Sequence, residues 1–157
     1  MEKENATSFR LATVFGISPR MRLDLLVNNF VQRAITDRFV ILFEGHFKRN
    51  YVHVKDVVDA FVFGVNNLDK VKGQIFNFGL SEANISKQQL CERIKNQLPN
   101  FTFQDAPLAK DPDQRNYLVS NHKIEAIGMK AKITLKEGIE ELIKGMNMYH
   151  VSQFANI

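Results

Sequence analysis

The chain has 157 residues, of which 45% are hydrophobic and 24% are charged, as is typical of a soluble globular protein with one ordinary core. Its net charge of +4 is mild, so it favours an anionic ligand without requiring a nucleic acid. A single cysteine, Cys91, excludes an internal disulfide and fits a reducing compartment; its helical surroundings predict a buried thiol rather than a nucleophile.

The sequence carries no sign of a targeting or membrane segment. The first residues lack the apolar run of a signal peptide. The longest apolar tract, Val57 to Val65, is interrupted by Asp59 and is too short to cross a bilayer. We therefore expect a cytoplasmic protein without a membrane partner.

The first elements alternate between strand and helix. Phe9 to Phe15 predicts a short buried strand that ends at Gly16. Asp24 is a suitable N-cap for an amphipathic helix that ends near Arg38. A second strand is predicted over Phe39 to Phe43, and a turn follows it.

A strand that leads directly into a helix is predicted from Arg49 onwards. With period two, Arg49, Tyr51 and His53 lie on one face of the strand. Asp56 interrupts this pattern and is interpreted as the N-cap of a helix that ends near Asn66. Arg49 would place a planar fork of donors beside this junction, which suits a phosphate or a carboxylate, although a surface ion pair is the alternative.

The remaining elements are marked by local signals. Capping boxes are predicted at Ser86 with Gln89 and at Thr134 with Glu137, each opening a helix. The other predictions are strands over Ile75 to Phe78 and Phe101 to Gln104, a loop from Ala106 to Gln114, an extended piece from Arg115 to Val119, and a helix from Ser120 to Ile127.

Three segments together resemble one protein family. The stretch from Arg49 to Asp56, R-N-Y-V-H-V-K-D, resembles a motif of the nucleotide-sugar epimerases and dehydratases, an extended branch of the short-chain dehydrogenases/reductases. Residues 9–16 with Ser18-Pro19-Arg20, and residues 73–79, G-Q-I-F-N-F-G, resemble two further motifs of the same family in the same order.

The resemblance implies an α/β fold. Residues 9–16 and 74–79 would be the last strands of an NAD(P)-binding Rossmann-like sheet, interwoven with a small α/β substrate-binding domain. Residues 1–157 would then form the C-terminal, substrate-binding part of such an enzyme. The N-terminal half that binds the cofactor would be absent.

The cofactor chemistry of that family requires motifs that this sequence lacks. It contains no glycine-rich turn for a pyrophosphate. We also expect no catalytic tyrosine–lysine pair, since the one tyrosine with a lysine four residues later, Tyr51, lies in the motif that begins at Arg49. Its four histidines have no metal-ligand spacing, so neither a metal site nor a catalytic residue is predicted. NAD or NADP would serve the complete enzyme, and this chain alone would bind neither.

By resemblance, several positions would bind a nucleotide sugar linked to UDP, dTDP, GDP or CDP. Arg49 and Arg115 would hold the diphosphate from two sides, with Tyr117 nearby. Thr13 and Val14 lie where the family backbone approaches the nicotinamide. Many epimerases have asparagine at the position of Thr13, so a close match to UDP-galactose 4-epimerase is not expected.

Other positions keep two interpretations. Ile41 and Phe43 would line the nucleobase pocket or belong to the packed core. Asn28 would face the sugar nucleotide, or would serve as a capping or surface residue. For Arg115 the alternative is a solvated loop residue.

Two classes of function follow. The first is nucleotide-sugar binding as part of an NAD(P)-dependent epimerase, dehydratase or reductase. The second is a non-catalytic interaction module that self-associates or pairs with a separate cofactor-binding chain, because an incomplete sheet exposes apolar surface. Nucleic-acid binding is disfavoured, since the basic residues of the helix after Ser86 alternate with glutamate and glutamine.

Overall fold

The computed structural model describes residues 6–106 and 115–148. The strands are β1 (Ser8–Leu11), β2 (Thr13–Phe15), β3 (Phe39–Leu42), β4 (Lys48–Arg49), β5 (Tyr51–His53), β6 (Ile75–Phe78), β7 (Ile85–Ser86) and β8 (Thr102–Asp105). The helices are α1 (Leu26–Thr36), α2 (Val54–Asn66), α3 (Leu68–Val71), α4 (Lys87–Lys95), α5 (His122–Glu125) and α6 (Leu135–Met148). The predicted loop from Ala106 to Gln114 lies, beyond Ala106, outside the described residues.

The predicted strand from Phe9 to Phe15 is in fact two strands with different partners. β1 pairs in parallel with β6, whereas β2 pairs in parallel with β5. The change occurs at Ala12, whose N–H donates to the Phe78 carbonyl (2.9 Å), while the N–H of Thr13 donates to the Asn50 carbonyl (3.0 Å). The expectation of a buried strand is wrong for β1, where Leu11 is 38% exposed.

Two further strand pairs complete the described sheets. β3 pairs in parallel with β8, and β4 pairs in antiparallel fashion with β7. Every residue from Arg49 to His53 is buried, so the two faces of this stretch do not differ in exposure. α2 follows β5 directly and α6 packs on β5, so these strands are enclosed on more than one face.

Two predicted helix starts are wrong, and both errors have a chemical reason. α1 begins at Leu26 with Leu25 as its N-cap, because the carboxylate of Asp24 is engaged by Arg22. α2 begins at Val54, and its cap is the buried imidazole of His53, whose Nδ1 accepts from the N–H of Lys55 (3.3 Å).

Asp56 is structural, as expected, but not as a cap. Its two carboxylate oxygens accept from the N–H groups of Lys132 and Ile133, at 3.0 Å each. With Asp56 only 2% exposed, these bonds fasten the segment before α6 to the first turn of α2.

Both predicted capping boxes are confirmed. The hydroxyl of Ser86 accepts from the N–H of Gln89, whose side chain accepts from the N–H of Ser86. Thr134 and Glu137 exchange the equivalent bonds before α6. The helix predicted from Ser120 is shorter, and Asn121 stands at its N-cap instead.

The core lies between the sheet pairs and helices α1, α4 and α6. Cys91 of α4 is fully buried, as predicted, and burial raises the pKa of its thiol to about 12. Within the described ranges, no helix combines the length and apolar character needed to span a bilayer.

Candidate functional site

A cavity of about 460 Å³ opens where the chain changes partners between β1 and β2. Residues 11–14 of that changeover form one wall, and residues 22 and 24–26 at the start of α1 form another. Arg49, Arg115 and Tyr117 contribute the rest of the described lining. The volume falls in the range of small-molecule sites, roughly 300–1,000 Å³.

Arg49 is held in the cavity wall by the short ladder of β4 and β7. Its backbone is in register with Ile85 of β7, and the residue is only 4% exposed. Water is largely excluded from such a guanidinium, and its charge therefore acts on a ligand with little screening. The position combines a fixed fork of donors with a low-dielectric surrounding.

The segment containing Arg115 is tied to β4 by two hydrogen bonds, one between backbones and one to a side chain. The N–H of Tyr117 donates to the Lys48 carbonyl (3.0 Å), and the N–H of Lys48 donates to Oδ1 of Asn116 (2.9 Å). These bonds hold Arg115 and Tyr117 alongside the strand that carries Arg49. Five of the residues predicted as site residues, Thr13, Val14, Arg49, Arg115 and Tyr117, therefore lie around one cavity.

Asn28 does not line the cavity but shapes the loop that does. Its Oδ1 accepts from the N–H of Gly16 (3.1 Å), and its Nδ2 donates to the Arg22 carbonyl (3.1 Å). The amide is buried, so these two bonds fix the course of the loop between β2 and α1. Gly16 has a φ of +125°, and a Cβ there would lie 2.6 Å from Nε2 of His53. Only glycine fits this turn.

Ile41 and Phe43 are also absent from the described lining of the cavity. Both are partly exposed, at 49% and 36%. Ile41 lies on β3 and Phe43 just beyond its end. Their exposure contradicts the packed-core interpretation, and a role in binding a nucleobase stays a prediction.

Two charged residues that line the cavity were not predicted as site residues from the sequence. Arg22 and Asp24 both line the cavity and form a forked pair, with Nε donating to Oδ1 (2.8 Å) and Nη2 donating to Oδ2 (2.5 Å). These hydrogen bonds lower the pKa of Asp24, so the carboxylate is ionised at neutral pH. Their position in the chain could have identified them as site residues. They lie between the carboxyl end of a strand and the next helix, where ligands bind in α/β folds.

The described lining carries three guanidinium groups and one carboxylate. This set suits an anion with more than one negative charge, since forked donors match phosphate oxygens geometrically. No cluster of three or more metal-ligating side chains occurs in residues 6–106 and 115–148. The chemistry available at the cavity is therefore anion recognition by arginine.

Comparison with protein families gives one match over the first half of the chain. Residues 2–79 match the NAD dependent epimerase/dehydratase family. A curated relative, the CDP-paratose 2-epimerase of Salmonella typhi, is 24% identical over 115 residues, covering 71% of this chain and 34% of the relative.

Solved structures agree in fold. The UDP-glucose 4-epimerase of Thermotoga maritima, solved with UDP-glucose, superposes with a TM-score of 0.73 at 24% identity, over 89% of this chain and 45% of that one. The dTDP-glucose 4,6-dehydratase of Bacillus anthracis, solved with NAD, gives a TM-score of 0.70 at 18% identity, over 89% and 44%. The chain thus has the mixed α/β, Rossmann-like fold of these proteins and spans less than half of their length.

Proposed function

We propose that the chain, whose residues 2–79 match the NAD dependent epimerase/dehydratase family, binds the nucleoside-diphosphate part of a nucleotide sugar. It would do so as the C-terminal, substrate-binding part of an NAD(P)-dependent epimerase, dehydratase or reductase. One observation carries the proposal: Arg49 and Arg115, far apart in sequence, line a single cavity.

The cavity offers each part of such a ligand a suitable surface. The buried Arg49 and the exposed Arg115 would bind the two phosphates with paired donors, which a lysine would not match in geometry. Tyr117 supplies a phenol and an aromatic face beside them. The relatives named above act on or bind CDP-, UDP- and dTDP-linked sugars, which supports the ligand class and leaves the base and the sugar open.

The cofactor part of the reaction is assigned to the larger protein. Thr13 and Val14 at the cavity wall fit a contact with one end of a dinucleotide. The sequence has no glycine-rich turn to receive the pyrophosphate. Its one tyrosine with a lysine four residues later, Tyr51, is fully buried whereas the Lys55 side chain is 63% exposed, so the two do not form a pair that could transfer a proton to a substrate. NAD(P), where bound, supplies transient oxidation of a sugar hydroxyl, and this chain holds the sugar nucleotide in place.

Titration calorimetry with UDP-, dTDP-, GDP- and CDP-glucose tests the proposal. We expect one of these ligands to bind, and Arg115→Gln to weaken it about tenfold or more, because hydrogen bonds from charged groups contribute roughly 1.5–3 kcal/mol. Arg115 is exposed, so the variant should fold. Arg49→Lys keeps the buried charge and should also lose affinity, because the fork is removed.

The matched control is Arg33→Gln, which removes an arginine that forms a surface pair with Asp37 (3.1 Å) outside the cavity. It should bind as the unmodified chain does. Full affinity in both Arg115→Gln and Arg49→Lys would remove the arginine pair from the proposal, and failure of all four sugars to bind would remove the proposal itself.

A second candidate, an interaction module, is favoured by one specific surface. Val58, Phe61, Val62 and Val65 form a stripe on α2, each more than half exposed. Their spacing covers one helical face, while Val57, Ala60 and Gly64 bury the other, so α2 is apolar nearly all round. Such a helix suits the interior of a larger assembly, either a second copy of the chain or a separate cofactor-binding chain. A concentration-independent monomer by light scattering would speak against self-association.

A further inference from the structure

The forked pair of Arg22 and Asp24 brings a negative charge into a cavity otherwise suited to anions. Asp24 lines the same cavity as Arg22, Arg49 and Arg115. Its two oxygens accept from two nitrogens of Arg22, so two of the donors of Arg22 are already engaged. Both side chains are about half exposed, which leaves them accessible to a ligand.

The backbone of the loop that carries this pair is held in place by hydrogen bonds. The buried amide of Asn28 holds the Arg22 carbonyl, and through its other end it holds the N–H of Gly16. The N–H of Leu25 approaches the same carbonyl at 3.4 Å. The backbone around Asp24 is therefore anchored to α1, and its carboxylate is presented at a defined place in the wall.

We propose that Asp24 makes the cavity selective for nucleoside diphosphates that carry an uncharged sugar, and that it rejects those whose sugar bears a carboxylate. This inference rests on the proposed function and adds a substrate class to it. The two phosphates of a nucleotide sugar carry two negative charges, which Arg49 and Arg115 of the described lining match in number.

A uronate would bring a third negative charge into the same space. It would meet the Asp24 carboxylate, which repels it, and an Arg22 whose fork already donates to Asp24. The hydroxyl groups of an uncharged sugar have no such conflict, because they can donate to the carboxylate oxygens. The pair thus distinguishes the two kinds of sugar by charge and by hydrogen-bond direction.

Competition between matched ligands tests the inference on the full chain. The probes are UDP-glucose against UDP-glucuronate and GDP-mannose against GDP-mannuronate, in calorimetric titrations. We expect the uncharged sugar of the pair that binds to be preferred about tenfold or more, as expected for a like charge at a few ångströms near a surface. Asp24→Asn keeps the shape and an acceptor for Arg22, and it should reduce that preference to near unity.

The control is Asp37→Asn, which removes a carboxylate from an exposed arginine pair of similar exposure outside the cavity. It should leave the preference unchanged. Equal binding of both sugars by the unmodified chain, stronger binding of the uronate, or a preference that survives in Asp24→Asn would overturn the inference while the diphosphate proposal stands. Failure of every nucleotide sugar to bind removes both.

Discussion

Asp56 is a buried carboxylate that joins two distant parts of the chain. Asp56 lies in the first turn of α2. Its carboxylate accepts hydrogen bonds from the N–H groups of Lys132 and Ile133. Asp56→Ala would leave both donors without their acceptor in a partly buried place. We expect the free energy of unfolding to fall by about 2–4 kcal/mol, measured by urea denaturation.

Asp59→Ala provides the comparison, because Asp59 is an exposed aspartate on the same helix. Its effect should stay within roughly 0.5 kcal/mol, as for most surface substitutions. An equal loss in both variants would show that the role assigned to Asp56 is wrong.

His53 predicts a pH dependence of stability. The ring is fully buried, burial lowers its pKa from the ordinary 6.5, and Nε2 lies 3.2 Å from Oε2 of Glu141. Lys55 and Asp56 are the other charged groups that act on it. Because the unfolded chain takes up a proton near pH 6.5 and the folded chain resists it, stability should be full above that pH and fall below it.

The change His53→Asn keeps an acceptor for the N–H of Lys55 and removes the titrating ring. We expect the loss of stability between about pH 7.5 and pH 5.5 to be smaller in this variant, in urea denaturation at each pH. His122→Gln, at an exposed histidine, should leave the profile as it was. A profile in His53→Asn as steep as that of the unmodified chain would contradict the assignment.

Single residues divide clearly into those that sequence predicts and those that it does not. The caps at Ser86 and Thr134 were predictable, because donor and acceptor are three residues apart. The partners of Asp56 lie more than seventy residues away along the chain, so local spacing indicated only a cap. The bonds of Asn28 to Gly16 and Arg22 were not predictable for a similar reason, since they depend on the path of a loop.

At the scale of elements, α6 approaches β2 and β5 closely through a glycine. A Cβ on Gly138 would lie 2.4 Å from Cε2 of Phe15 and 3.1 Å from Cδ2 of His53. Gly138→Ala should therefore lower the free energy of unfolding by about 1–3 kcal/mol, despite the better helix propensity of alanine. Urea denaturation of the variant measures the loss.

Gly64→Ala on α2 is a matched comparison. The nearest atom to a Cβ there is Cζ of Phe9 at 3.1 Å, the far end of a side chain in a half-buried place. A smaller loss, or a gain, is expected. Should Gly64→Ala be the more damaging change, the close packing of α6 would not be what Gly138 provides.

The order of the elements was largely predictable, and their pairing was not. Periodicity and turn residues placed strands near Phe39 and Ile75 and helices near Leu26 and Leu135. The division at Ala12 depends on two neighbouring strands that arrive from different parts of the sequence. The cavity lies at that division. Its outline was therefore not predictable from the sequence, because local patterns do not indicate which strands pair.

For the whole molecule, the stripe on α2 predicts association. Val62→Lys combined with Val65→Lys places two charges on residues that are 53% and 69% exposed, so little packing is lost. We expect the mean mass by light scattering to shift towards the monomer, because charged groups are costly to bury at an interface. Stability should change little.

Gln88→Lys with Asn96→Lys adds the same two charges at exposed positions on and just after α4, away from the stripe. This control should keep the association of the unmodified chain. If both pairs dissociate the protein equally, net charge rather than the stripe controls assembly. If neither does, the face of α2 is not the contact.

The enclosed thiol on α4 has a practical consequence for following the motions of the molecule. Cys91 is the single cysteine of the chain, it is inaccessible in the folded state, and its proton is firmly held. A disulfide reagent can therefore reach it only when the helix detaches from the interior, so the rate of modification reports the frequency of that opening. The protein thus contains its own kinetic probe, which requires no engineered label, and any ligand that tightens the fold should slow the reaction.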